Sequence, residues 1–419
     1  MIASIIYNLF IRLYRAGVGI ASATGNKKAS LWLNGRLGWA IRLQQQQLTD
    51  SRVVWVHAAS LGEFEQGRPV LEAIRANYPG YKILLTFFSP SGYEVRKHYP
   101  GADYICYLPL DTNANARKFL DLTRPDLAIF IKYEFWMHFL TELHTRKVPT
   151  LLVSGIFREK QIFFKGYGGM FRKLLAGFTH LFVQNKASLD LLHQIQMQNA
   201  SISGDTRFDR VAALLAETQQ LPLIAQFAEG KQLLVAGSTW PEDEQILANW
   251  WKTNENSQLK LVIAPHEIHE AHIQSILSLF PQAVRYSAIK EQWQDASILI
   301  IDNIGMLTTL YRYASMAYVG GGFGKDGIHN ILEPAVYGMP VIIGPVYDKY
   351  FEAVELVAAG GAIVINNDQE LRSQVDLLSS DTTLRARKAA ISKDYVLSNK
   401  GATEKILHYI QENRFLSKV

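Results

Sequence analysis

Two series of short apolar runs, with amphipathic stretches between most of the runs, constrain this chain more than any other feature. Val53–Ala58, Ile83–Phe87, Tyr104–Leu108, Leu127–Ile131, Thr150–Val153 and His180–Val183 make the first series. Gln232–Ala236, Leu259–Ala264, Ser297–Ile301, Met316–Val319, Pro340–Ile343 and Ala362–Ile365 make the second. Strand-like runs alternating with helical segments argue for parallel sheets. A polar, breaker-containing stretch from about Thr206 to Pro222 divides the two series. At 419 residues the chain exceeds one ordinary core and suits two α/β domains. The expected architecture is two Rossmann-like halves with a cleft between them, and ligands in such sheets sit beyond the C-terminal ends of the strands.

The composition, 48% hydrophobic and 19% charged, is that of a globular protein. The single cysteine, Cys106, excludes an internal disulfide framework and fits a reducing compartment. The net charge of +5 is unevenly placed. Arg12, Arg15, Lys27, Lys28, Arg36 and Arg42 face only Asp50 in the first fifty residues, and Arg158, Lys160, Lys165, Arg172 and Lys173 face only Glu159 in 158–173. No nucleic-acid recognition module accompanies these charges, so an anionic membrane surface or a phosphorylated lipid is the better partner. Ile2, Ile5, Ile6, Leu9, Phe10, Leu13, Val18 and Ile20 give a broad apolar face at helical spacing, interrupted by Arg12 and Arg15. The arginines make a free transmembrane span costly, and no convincing cleavage site follows. A helix lying in the cytoplasmic leaflet is expected, against a first helix packed on its own domain or a single-pass anchor.

Chemistry-bearing residues fall where strands end. Gly320-Gly321-Gly322-Phe323-Gly324-Lys325-Asp326-Gly327 follows the run Met316–Val319, and a helix is predicted to open near His329 or Asn330. Glycines allow close backbone approach to a ligand, helix N–H groups favour a phosphate, and a carboxylate at Glu333 can accept from ribose hydroxyls. The strand, loop, helix and acid together read as a nucleotide-sugar site or as an ordinary βα turn. After Val53–Ala58, Ser60 caps a predicted helix with Glu63 three residues on. Glu63 is then either the acid of a capping box or a general base at the strand end, its pKa held down by the helix N-terminus. Lys132 and Glu134 end another strand, as charge stabiliser and sugar ligand or as an ion pair. Arg207 either grips an anion in a forked contact or pairs with Asp205 or Asp209. His266, Glu267, His269 and His272 follow Leu259–Ala264, but the spacing lacks the His-Glu-x-x-His of a metalloprotease, and no metal is expected. Gly237–Thr239 and Asp302–Gly305 are further strand-end turns able to offer backbone N–H groups. Phe157, Phe163, Phe164, Tyr167 and Phe171 interleave with the basic residues of 158–173, either at a lipid interface or in a core.

Together these segments resemble one family, the 3-deoxy-D-manno-octulosonic acid (Kdo) transferases, glycosyltransferase family 30. His57-Ala58-Ala59-Ser60-Leu61-Gly62-Glu63 is similar to that family's His-x-x-Ser-x-Gly-Glu. Tyr107–Asp111, Gly204–Asp209, Gly237–Glu244, Gly320–Ala335 and Gly344-Pro345 follow in the same order, with His329–Pro334 the most specific match. The resemblance implies a GT-B fold: an N-terminal membrane-associated helix (1–22), a Rossmann-like acceptor domain (23–212), a Rossmann-like donor domain (213–398) and a C-terminal helix (399–419). It implies an inverting enzyme on the cytoplasmic face of the inner membrane that moves Kdo from CMP-Kdo to a lipid A precursor, with no cofactor, no metal and no nucleic-acid partner. Glu63 falls on the family's general base, and Arg207 on a lysine position credited with transition-state stabilisation. His266 and Glu267, Ile304, Gly305 and Met306, and Asn330, Ile331, Leu332 and Glu333 fall on CMP-contacting segments.

Three positions depart from the family pattern. Lys132 stands where a first acid is common, His266-Glu267 where Arg-His is usual, and Met306 where an acid is common. Lys132 is thus a stabiliser only by position. The rival readings are another GT-B enzyme using a UDP-sugar on a lipid, a nucleotide-sugar epimerase, and a non-catalytic nucleotide or lipid binder.

Overall fold

A computed structural model of the chain describes residues 2–288 and 296–418, and side chains from residue 5 onward. The side chain of Ile2, and the terminal residues Met1 and Val419, lie outside it. The chain divides into two compact units, Met1–Arg210 with Lys400–Val419, and Val211–Asn399.

The first unit holds β1 (Val53–Ala58), β2 (Lys82–Phe87), β3 (Tyr104–Tyr107), β4 (Leu127–Ile131), β5 (Thr150–Gly155), β6 (His180–Val183) and β7 (Ala200–Ile202). They form one parallel sheet in the order β3-β2-β1-β4-β5-β6-β7. Strand side chains alternate between faces. Val53 and Trp55 therefore enter one core with Phe119, Phe130 and Phe139, while Val54 and Val56 enter a second with Phe64, Leu71 and Ile74. Helices cover both faces, which is why the central strands read as continuous apolar runs. The sequence reading did not anticipate β7: it has three residues, lies at the sheet edge and is only partly buried.

The second unit holds β8 (Gln232–Thr239), β9 (Leu259–Pro265), β10 (Val284–Arg285), β11 (Ile298–Ile300), β12 (Met316–Val319), β13 (Val341–Ile343) and β14 (Ala362–Val364). Its parallel order is β10-β11-β9-β8-β12-β13-β14. Leu234 and Ala236 fill one core, Leu233 and Val235 the other. The edge pair β10 was also unanticipated, because two residues carry no periodicity.

The chain re-enters the first unit after Asn399. The Asp209 carboxylate accepts from Gly401 N at 2.5 Å and Thr403 N at 2.6 Å, capping helix Ala402–Glu412. Ile406, Ile410 and Leu416 then join the core of Val54 and Ile83.

Helix Ile2–Ala23 is docked by a narrow stripe. Ile11 is buried, Tyr7 Oη donates to Asp111 Oδ2 at 2.5 Å, and His138 Nε2 lies 2.6 Å from Asn8 Oδ1. Of its other apolar residues, Ile5, Ile6, Leu9, Phe10, Leu13 and Ile20 are each more than half exposed, and Val18 is partly buried. Among the described residues, no helix is long and apolar enough to cross a membrane. Arg36 does not belong to the basic surface inferred from sequence. It is buried over the Trp32 ring, and its guanidinium donates to the carbonyls of Leu108, Trp32 and Phe88. Most aromatics of 157–173 are core as well: Phe157 and Phe163 are buried, and Arg172 donates to the carbonyls of Phe163 and Lys165. Tyr167 alone of that group is largely exposed.

Candidate active site

In the first unit the chemistry gathers beyond β1 and β4. Ser60 leaves the strand in extended conformation and opens helix Leu61–Asn77. Its N–H donates to Glu63 Oε2 (3.1 Å), and Glu63 N donates to Ser60 Oγ (3.5 Å), a complete capping box. The box does not exhaust Glu63. Burial, and then the negative charge of Glu134, push its carboxyl up to about 7, against the opposing pull of the Ala59 and Ser60 amides and the Lys132 ammonium. This corrects the expectation that the helix N-terminus holds the group low: desolvation and a like charge outweigh two amides. A carboxyl poised near 7 suits proton acceptance at neutral pH.

Lys132 follows β4 with φ +67°, a left-handed conformation unusual for a residue with a Cβ. Its ammonium lies 5.3 Å from the centre of the Tyr133 ring. Glu134 is not available as a ready sugar ligand. It is buried, with Oε2 taken by Trp136 Nε1 (2.6 Å) and His57 Nε2 (3.1 Å). His57 lies wholly inside β1, and sequence reasoning gave it no role. The only signal was a histidine in an otherwise apolar strand.

Arg207 sits at the start of helix Thr206–Ala213. Asp205 accepts from Arg207 N and Nε, each at 2.9 Å, with Arg207 Nη2 at 2.7 Å, and Gln66 Nε2 lies 3.2 Å from both carboxylate oxygens. The guanidinium holds the Asp205 carboxyl below its usual range despite burial. Asp205 is thus the partner of Arg207, and Asp209 instead caps the C-terminal helix.

In the second unit the glycine loop is shaped by its own packing. A Cβ on Gly320 would meet Ser238 O at 2.4 Å, and one on Gly322 would meet Gly344 N at 2.6 Å. These glycines let loop approach loop, not only ligand. The helix predicted from His329 or Asn330 starts later, at Leu332, and has five residues. Asn330 Oδ1 accepts from Leu332 N (3.1 Å), Asn330 Nδ2 donates to Glu333 Oε1 (2.9 Å), and Thr308 Oγ1 donates to Glu333 Oε2 (3.1 Å). Asn330 and Glu333 are therefore brought together as a braced pair. The left-handed turn at Gly338 (φ +73°) keeps the helix short.

Three rings form a platform at the ends of β8, β9 and β12. Trp240 and His329 are within 11° of coplanar and joined by Trp240 Nε1 donating to His329 Nε2 at 2.7 Å. His266 stacks on both, at centroid distances of 4.7 and 4.4 Å. Burial, helped by His266, pushes the His329 imidazole down to about 4, so it is neutral at pH 7 and accepts the indole proton. Trp240 was missed because nothing in its local sequence distinguishes it from a core residue. Asp243 was missed too. It is fully buried and accepts from Gly321 N (2.8 Å), Trp240 N (2.9 Å) and Tyr318 Oη (2.7 Å), tying the glycine loop to the platform.

Ile304 is almost fully exposed, Gly305 is left-handed (φ +95°), and Met306 is nearly buried. Glu267, His269 and His272 have ligand atoms within 4.8 Å of one another. His272 already uses both ring nitrogens, on Glu244 Oε2 (2.9 Å) and Glu267 O (2.8 Å), so a metal there would compete with a buried pair. Cys106 is pushed up to about 12 by burial and holds no thiolate at neutral pH. A cavity of about 920 Å³ opens between helices Met137–Thr145 and Gly169–Ala176, lined by Met137, His138, His144, Met170 and Lys173; it does not include Glu63, Glu134 or Arg207.

A family model described as 3-Deoxy-D-manno-octulosonic-acid transferase (kdotransferase) matches residues 33–210. The 3-deoxy-D-manno-octulosonic acid transferase of Rickettsia felis is 27% identical over 346 residues, covering 80% of this chain and 73% of its own length. That of Aquifex aeolicus is 28% identical over 336 residues, covering 78% and 86%. That of Haemophilus influenzae is 23% identical over 376 residues, covering 85% and 86%. Among solved structures, UDP-GlcNAc 2-epimerase from Neisseria meningitidis aligns with a TM-score of 0.62 at 15% identity, over 86% of this chain and 100% of that one. Acinetobacter baumannii MurG aligns with a TM-score of 0.54 at 12% identity, over 86% and 99%. At such identities the structural likeness speaks for the fold alone: two parallel α/β sheets, as in these neighbours.

Proposed function

We propose that this chain is a 3-deoxy-D-manno-octulosonic acid (Kdo) transferase, and that it moves Kdo from CMP-Kdo to a hydroxyl of a lipid A precursor in lipopolysaccharide assembly. The observation that carries the mechanism is Glu63, a half-buried carboxyl at the end of β1 whose surroundings tune it to about 7. As the acceptor oxygen attacks the anomeric carbon of Kdo, its proton passes to Glu63. The bond to CMP breaks on the opposite face, so configuration inverts and CMP leaves as a phosphate monoester anion. Arg207, fixed on Asp205, keeps a positive charge in the first unit for the developing anion. His266, Glu267, the Ile304–Met306 turn and the Asn330–Glu333 segment hold CMP in the second unit. No cofactor or metal enters this reading. Lys132 supports the site by lowering the cost of ionising Glu63.

The direct test is transfer by the purified protein from freshly made CMP-Kdo to a lipid A precursor, read by mass spectrometry. A product heavier by one or more Kdo units is expected, with CMP and not UDP competing. CMP binding without product would remove the reading. The rate is expected to rise with pH through about 7 and then level, because only ionised Glu63 accepts the proton. A profile flat from about pH 5 to about pH 9 would remove Glu63 as the titrating base.

The first helix places the enzyme at the cytoplasmic face of the inner membrane in this reading, with its exposed apolar residues in the leaflet and neighbouring basic residues on lipid phosphates. Deleting residues 1–22 would also strip Tyr7 from buried Asp111. The cleaner variant replaces Leu9, Phe10 and Leu13 with glutamine and keeps Tyr7, Asn8 and Ile11. Release from membranes is expected, with use of a detergent-dispersed acceptor retained. Unchanged sedimentation with membranes would refute the assignment.

A further inference from the structure

A line of buried hydrogen bonds runs from the core of the first unit to the loop after β4. Trp55 Nε1 donates to Thr86 Oγ1 at 2.8 Å, and Thr86 Oγ1 lies 2.8 Å from His57 Nδ1. His57 Nε2 lies 3.1 Å from Glu134 Oε2, where Trp136 Nε1 also donates at 2.6 Å. A carboxylate only accepts, so the contact with Glu134 puts a proton on His57 Nε2, to which Trp136 Nε1 also lies close at 3.0 Å, while Nδ1 sits against both the hydroxyl and, at 3.1 Å, the carbonyl oxygen of Thr86. His57 and Thr86 are completely buried, opposite each other in the register of β1 and β2. Packing alone gives no reason for an imidazole here, since an apolar side chain needs no such partners. What the relay does accomplish is to fix Glu134, in a loop that begins with left-handed Lys132.

We propose that His57 is a positioning residue for Glu63: its Nε2–H holds the Glu134 carboxylate within electrostatic reach of Glu63, so the acid that takes the acceptor's proton works next to a fixed negative charge. The part this plays in transfer rests on Glu63 being the base of the reaction proposed above; the electrostatic part does not. The charged and titratable groups that act on Glu63 are Glu134, Lys132 and, from the same loop, Tyr133, which itself interacts with Arg158 and Arg207. The Ala59 and Ser60 amides complete the set. Glu134 opposes ionisation of Glu63, while Lys132 and the amides favour it. Burial, the larger cause, stays in place when Glu134 is released, but one of the two influences that raise Glu63 is gone, and Glu63 becomes a weaker base.

The test is a carboxyl ¹³C NMR titration of glutamate-labelled protein, with the Glu63 signal assigned by its absence in Glu63→Gln. The wild-type midpoint is expected near 7. His57→Phe keeps a ring and removes the donor, and the midpoint is expected to fall by roughly one pH unit or more. Glu134→Gln is expected to lower it at least as far, and His57→Gln, which keeps an N–H, to lower it less. The acid limb of the transfer profile should move with the midpoint, with kcat falling while KM for the donor holds. A midpoint still near 7 in Glu134→Gln, or in folded His57→Phe, overturns the proposal. The near-isosteric Glu134→Gln carries the test should His57→Phe fail to fold. Shifted midpoints in a protein that transfers no sugar would remove the transfer reading and support the positioning role.

Discussion

Replacing Glu63 with glutamine is expected to lower Kdo transfer by about 10²–10⁴-fold while the protein stays folded. The substitution separates the two roles this residue occupies. A glutamine three residues after Ser60 still caps the helix, because its carbonyl oxygen accepts from Ser60 N as Glu63 Oε2 does at 3.1 Å. It accepts no proton from a hydroxyl. The stability consequence has a definite sign. The folded protein holds Glu63 protonated up to about 7, above its ordinary range, so its contribution is favourable at low pH and is lost as pH rises through about 7. Glutamine carries no such charge, so relative to wild type the variant gains stability as pH rises from the ordinary carboxyl range to about 7, and the gain is complete above that. Mass spectrometry of the transfer product, with urea unfolding on either side of neutrality, checks both halves. Near-normal turnover would leave Glu63 as a helix cap alone.

The second large effect is expected from Asp243→Ala, in the other unit. Asp243 is fully buried, and its loss strands Gly321 N, Trp240 N and Tyr318 Oη together. Buried donors without partners cost about 1–3 kcal/mol each, and some of that cost is relieved by rearrangement or water, so about 3–5 kcal/mol is expected. The same change unties the glycine loop from the platform of Trp240, His266 and His329, so CMP affinity should fall as well. Denaturant unfolding followed by tryptophan fluorescence and CMP titration are the measurements. A loss below about 1 kcal/mol with unchanged CMP affinity would show that the loop is held by its other contacts.

The two sheets were legible because parallel strands covered on both faces leave apolar runs that stand out from amphipathic helices. Val53–Ala58, Leu127–Ile131, His180–Val183 and Met316–Val319 lie in the structure with the bounds read from sequence. The short edge strands, Ala200–Ile202 and Val284–Arg285, were not legible, because so few residues carry no period and one face is only partly covered. Ser60 and Glu63 were legible as a cap because the capping box is a local device, closed within four residues. His57, Trp240 and Asp243 were not, since the partners that give them their place lie far along the chain, as in His57 with Thr86, Trp240 with His329 and Asp243 with Gly321.

The sequence by itself determined the strands other than the two shortest, the glycine turns, the first-helix apolar face and the identity of the acids at strand ends, all of which depend on neighbours a few residues apart. Only the tertiary structure decided what those groups are chemically. It placed Glu134 and a desolvating environment on Glu63 and so reversed the sign of its expected pKa shift. It buried Arg36, which had counted as surface charge, and drew Arg207 onto Asp205. Charge and proton affinity depend on burial and on the distance to other charges, and the fold alone sets both.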